Sequence, residues 1–265
     1  MELFVVLGYL GALLIGVVLG LIGGGGSIIT VPVLVYLFDL NPLVATGYSL
    51  FIVGTSSLVG AVENIKKGLV DFRTALVFAL PAFIVVYVTR KFIVPVIPEH
   101  LFTIANFEVT RHIGIMILFA IIMLLASVSM IWNAKEESSG TSKIKYNYPL
   151  IVLEGILIGL VTGILGAGGG FLIIPALVLL AKLPLKKAVA TSLLIIAINS
   201  LIGFLGDVQN LEIDWLFLLY FTGISIVGTF LGVYFNKFIE GRKLKKGFGW
   251  FVMVMGIFII WKELF

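Results

Sequence analysis

Apolar residues in this chain run in long uninterrupted stretches, and glycine, proline and charge clusters cut them at regular places. The cuts leave ten apolar segments: about 3–22, 27–38, 42–64, 73–96 and 112–132, then 148–165, 170–181, 186–206, 214–236 and 246–262. Eight of them reach roughly 17 residues or more, the length that carries a helix across a bilayer. The segments at 27–38 and 170–181 are too short, because twelve residues at about 1.5 Å of rise fall well below a hydrocarbon core of about 30 Å. Each is predicted as the return arm of a hairpin dipping into the membrane, or as a short helix leaning on a longer one. Pro32 and Pro175 are expected near their first turns, where a missing amide hydrogen costs least. The short alternating segments of a β-barrel are absent.

The two sets of five segments are copies of one pattern. Gly20-Leu21-Ile22-Gly23-Gly24-Gly25-Gly26-Ser27, with Pro32 following, returns 143 positions later as Gly163-Ile164-Leu165-Gly166-Ala167-Gly168-Gly169-Gly170, with Pro175. The register holds beyond the glycines, pairing Gly16 with Gly159, Ala45 with Ala188, Ser49 with Ser192, Ser57 with Ser200, Gly60 with Gly203 and Asp71 with Asp214. A gapless offset of that length marks a duplicated unit. The chain therefore divides into a first membrane repeat at 1–132, a polar linker at 133–147 and a second repeat at 148–265.

Composition narrows the class. With 60% hydrophobic and 12% charged residues and a mean hydropathy of +1.20, the 265 residues belong to a polytopic all-α membrane protein. The first segment has neither a basic leader nor a small-residue cleavage site, so it is expected to be retained rather than removed as a signal peptide. Cysteine is absent, which excludes disulfides, thiolate metal sites and a cysteine nucleophile.

Charge adds orientation. The turn at 66–73 carries Lys66, Lys67 and Arg73, whereas its counterpart in the second repeat carries Asp207, Glu212 and Asp214. The turn before the third segment reverses the signs, with Asp39 in the first copy and Lys182, Lys186 and Lys187 in the second. Corresponding turns therefore face opposite sides, which makes the repeats inverted. By the positive-inside rule the turns at 66–73, 182–187 and 237–246 and the linker are cytoplasmic, and both termini lie outside. The stretch at 90–111 then falls on the outer side, with Arg90, Lys91 and Arg111 partly offset by Glu99 and Glu108.

Non-helical backbone at membrane depth must be enclosed by protein or line a wet cavity. Glycines there offer bare backbone amides that can converge on one point, and the short helix after each loop adds its positive dipole end. Two opposed loops would hold a small anion without a fixed positive side chain. The loop residues proposed to do so are Gly23, Gly24, Gly25, Gly26, Ser27, Gly166, Gly168, Gly169 and Gly170, with Ser49, Thr191, Ser192 and Asn199 on the third segments as auxiliary donors. Close helix packing is the competing explanation for the glycines, and bonding to the preceding turn the competing one for the hydroxyls. Glu154 is a candidate for proton coupling, since intramembrane acids tend to be functional, while Asp71 and Asp214 fit helix caps. His100 and His112 have no ligand spacing. Neither a phosphate-binding loop nor a metalloprotease or carboxylate-dyad pattern is present, so no enzyme activity, metal or cofactor is expected. The expected partners are the lipid bilayer and a small anion, with H+ as a coupling ion; nucleic acid is not among them, and a homodimer is compatible with the sequence.

These motifs resemble the sulfite exporter TauE/SafE family of prokaryotic membrane transporters. The resemblance rests on both glycine motifs with their prolines and on Ala188-x-x-Thr191-Ser192-Leu193, and it covers nearly the whole chain. Tyr48 stands where the second repeat has Thr191, so the halves differ chemically. The resemblance implies a secondary transporter of the cytoplasmic membrane that exports sulfite or sulfonates such as sulfoacetate by alternating access. An anion channel, or an importer of a small carboxylate or sulfonate, is the alternative.

Overall fold

A computed structural model describes residues 2–104, 107–132, 148–179, 181, 183–236 and 241–264. The linker at 133–147 and Lys182 and Lys237 lie outside the described residues. The helices are α1 (Glu2–Ile22), α2 (Ser27–Leu37), α3 (Pro42–Lys66), α4 (Phe72–Val88) and α5 (Arg111–Trp132) in the first half. The second half contains α6 (Tyr148–Leu165), α7 (Gly170–Leu179), α8 (Leu185–Asp207), α9 (Trp215–Phe235) and α10 (Gly241–Leu264). Among the described residues, five spans are long and apolar enough to cross a membrane: Pro42–Lys66, Phe72–Val96, Arg111–Trp132, Lys186–Asp207 and Trp215–Phe235. The protein is an integral membrane helical protein, and large apolar side chains such as Leu10, Leu76, Leu125, Leu216 and Val254 line its exposed flanks.

Local chemistry sets the helix boundaries. Asn41 caps α3 through Leu43 N–H at 2.9 Å, with Pro42 at the first helical position. Asp71 and Asp214 cap α4 and α9 by accepting from Thr74 N–H at 2.8 Å and Phe217 N–H at 3.0 Å. The prolines depart from expectation. Pro32 and Pro175 are each the sixth residue of their short helices, so their rings remove the bonds that the carbonyls of Ile28 and Phe171 would receive. The stretch after α4 also differs. Thr89–Ile93 continues the span as a π-helical turn, and a short antiparallel hairpin, β1 (His100–Ile104) with β2 (Phe107–Thr110), leads into α5.

The packing exchanges the two halves. α1 lies on α9 and α6 on α4, while α3 pairs with α8 and α5 with α10. Along α3, Gly47 faces Asp207 and Leu211, Gly54 faces Leu201 and Gly60 faces Leu193. These two equivalent helices therefore run in opposite directions at the centre of the protein. Contact of Gly249 with Met130 and of Gly256 with Leu124 gives the same opposed run for α5 and α10. Glycines outside the loops serve packing: Gly16 and Gly20 of α1 meet the backbone of α9 around Ser225, Thr229 and Gly232, an approach open only to residues without a side chain.

Candidate functional site

Both glycine loops start in the same way. Gly23 N–H bonds to Leu19 C=O at 2.8 Å and Gly166 N–H to Thr162 C=O at 2.9 Å, and the two residues end α1 and α6 with φ of +81° and +67°. The loops then diverge. Gly24–Gly26 wind as a 3-10 turn directly into α2, and Gly26 keeps a right-handed backbone. In the second loop Gly168 and Gly169 both have positive φ, so that loop bends where the first one coils. The loops meet backbone against backbone at Gly24 and Gly170, where a Cβ on either residue would overlap the other's main chain. Ile196, near the middle of α8, touches both Gly168 and Gly170, so the meeting point lies at the protein's centre.

The sequence-predicted donors divide into committed and uncommitted groups. Ser27 Oγ donates to Gly24 C=O at 2.6 Å, closing its own loop, and Ser192 Oγ donates to Val189 C=O at 2.8 Å. Thr191 Oγ1 accepts from the N–H of Asp71 at 3.0 Å, and its counterpart Tyr48 accepts from the N–H of Asp214 at 2.6 Å. These two hydroxyls hold the caps of α4 and α9. Ser49 and Asn199 are fully buried, and neither Ser49 Oγ nor either amide atom of Asn199 has a hydrogen-bond partner among the described residues. Ser200, one position beyond Asn199, faces Gly168 and is likewise unpartnered, as is Thr162 Oγ1 beside Gly169. Glu154 is not brought to the loops. It is half-buried in the second turn of α6, about 18 Å of helix away from Gly166.

A charged pair stands beside the second loop. Arg90, expected on the outer side, is instead completely buried in the π-helical turn after α4. Its Nη1 lies 3.3 Å from Asp207 Oδ2 and donates to Thr46 Oγ1 at 3.1 Å, while Nε and Nη2 find no partner. A Cβ on Gly166 would sit 2.6 Å from Nη2. Asp207, at the end of α8, is 3% exposed, and among the described residues no other charged groups are buried so deeply. The available signal was a basic residue within the apolar segment 73–96, since a charge at that depth is functional by default. Counting loop charges obscured it.

An apolar hollow of about 620 Å³ lies elsewhere, between the hairpin and the start of α5, and includes Leu101, Phe102, Val109 and Leu118 in its lining. Arg111 in its lining already donates to Ile97 C=O at 3.0 Å and faces Glu99 at 3.8 Å, so the described lining offers an anion little.

The family model described as Sulfite exporter TauE/SafE matches residues 8–259. A probable membrane transporter protein of Xylella fastidiosa is 28% identical over 256 residues, covering 94% of this chain and 92% of the relative. The probable membrane transporter protein YunE of Bacillus subtilis is 31% identical over 287 residues, covering 97% and 94%. A probable membrane transporter protein of Haemophilus influenzae is 26% identical across 97% of this chain and 98% of its own length. No solved structure matches.

Proposed function

Since the chain belongs to the sulfite exporter TauE/SafE family and is a multi-pass membrane transporter, we propose that it exports small organosulfur oxyanions, sulfite or sulfonates such as sulfoacetate. The carrying observation is the meeting of the glycine loops at Gly24 and Gly170, with the unpartnered donors Ser200 and Thr162 beside the second loop. Bare backbone and spare donors at the centre of a helical bundle suit an oxyanion, which needs many hydrogen bonds and little room. Burying such donors without partners costs stability, and a bound anion offsets that cost.

Alternating access would proceed by the two halves rocking about this point. The opposed run of α3 and α8, and the reversed charges of their turns, support inverted repeats in the cytoplasmic membrane with both termini outside. Purified protein in liposomes tests the function. Sulfite flux should saturate and show counterflow, and Ser200→Ala should weaken sulfite binding by about tenfold. Flux linear in concentration without counterflow would make the protein a channel. Equal response to sulfite, acetate and a cation would remove the oxyanion site.

A further inference from the structure

The reading of a central oxyanion site leaves the charge of the substrate unanswered, and Arg90 supplies the missing partner. Its guanidinium is completely buried, yet only Nη1 is engaged, by Asp207 and Thr46. Two N–H-bearing nitrogens, Nε and Nη2, stay unpartnered, and Nη2 is the one that meets Gly166. One edge of an arginine fork matches two oxygens of a single oxyanion. A π-helical turn is the local device that places it there, and such turns recur at functional sites.

The obvious alternative is a buried ion pair that merely holds the fold. The duplicated architecture argues against it. The repeat register places Val233 at the position equivalent to Arg90, Asn64 at that of Asp207 and Val189 at that of Thr46. The side chain of Val189 packs on Gly23 and the backbone of Val233 on Gly20, so among the described residues the corresponding contacts at the other loop form with uncharged residues at all three equivalent positions. A buried pair seldom adds stability over apolar side chains of similar size.

Resting on the family reading above, we propose that Arg90 binds the transported oxyanion against the second glycine loop, through Nε and Nη2, and that Asp207 is the resting counter-ion with which the anion competes. No covalent step is involved. The site is one-sided: the charge-recognising half of the pathway lies at the second loop, and the first loop supplies backbone only.

The test is calorimetric titration of the full chain in lipid nanodiscs with sulfite at constant ionic strength, with chloride as control. Arg90→Val combined with Asp207→Asn installs the residues the other half already uses. The double variant should fold with a melting temperature near that of the wild type and bind sulfite on the order of 100-fold more weakly. Sulfite binding within about threefold of wild type would overturn the role of Arg90 and leave the family reading intact. Absence of sulfur-oxyanion binding by the wild type would bring down that reading and this one together. Asp207→Asn alone covers the case of a misfolded double variant: removal of the competing carboxylate should tighten sulfite binding about tenfold, and unchanged or weaker binding would overturn the competition.

Discussion

The two glycine loops descend from one sequence motif and are surrounded by different chemistry. Around the first, Gly23 faces Val189, Ile174 and Ser192, and the hydroxyl of Ser192 is spent on its own helical turn. Nearby, the side-chain amide of Asn236 donates to the carbonyl of Leu21, so the end of α1 is closed. Around the second loop stand Thr46, Arg90 and Asp207, with donors left over. The central helices repeat the contrast. Ser56 donates to Ser225 at 2.9 Å, but its counterpart Asn199 has Ala82 at the position corresponding to Ser225, and its amide stays unpartnered. The two halves share a register, and the unpartnered polar groups gather on one side of it. Under the proposed function, that inequality would favour the substrate at the second loop.

The largest effect is expected where the loops touch. Gly24→Ala places a Cβ into the main chain of Gly170, an overlap that no rotamer relieves, and should cost more than about 3 kcal/mol, read as loss of monodisperse protein and of transport. A variant that folds and transports normally would show that the loops do not meet as described.

Comparing the equivalent glycines sharpens the contrast. Gly23→Ala pays mainly for positive φ, about 1 kcal/mol, since the nearest side-chain atoms lie at 3.1 Å. Gly166→Ala pays the same strain and also overlaps the carbonyl of Thr46 and crowds Arg90, so roughly 2–3 kcal/mol is expected, together with weaker sulfite binding. Thermal melts and titrations on both variants decide it, and equal penalties would erase the proposed difference between the loops.

The smallest effects test the symmetry that remains. Asp71→Ala and Asp214→Ala should each lower stability by about 1 kcal/mol, and Thr191→Val and Tyr48→Phe by less, with matched values within each pair. Unequal losses within a pair, measured by thermal unfolding, would mean that the two caps are not equivalent.

Much of this was legible in the chain. The ten segments, the duplication, and the capping by Asp71 and Asp214 follow from runs, offsets and side-chain types, which act locally. The family followed from the glycine motifs. Of the donors proposed from the sequence, Ser49 and Asn199 are buried without a partner, whereas Ser27, Thr191 and Ser192 are bonded elsewhere, which depends on packing that spacing does not reveal. Arg90 was counted as a loop charge although it lies within the apolar segment 73–96; the π-helical turn that carries it inward is set by tertiary packing.

The sequence by itself determined which stretches are apolar enough to become helices, where they break and that the chain is built twice, because hydrophobicity, dihedral preference and repeat register are properties of neighbouring residues. The tertiary structure alone decided that Gly24 meets Gly170, that Tyr48 and Thr191 hold the cap residues Asp214 and Asp71 of the opposite half, and that Arg90 lies beside Gly166 facing Asp207. Those residues are far apart in the chain, and only the packing of α3 against α8, with α4 and α6 beside them, brings their polar atoms within reach of one another.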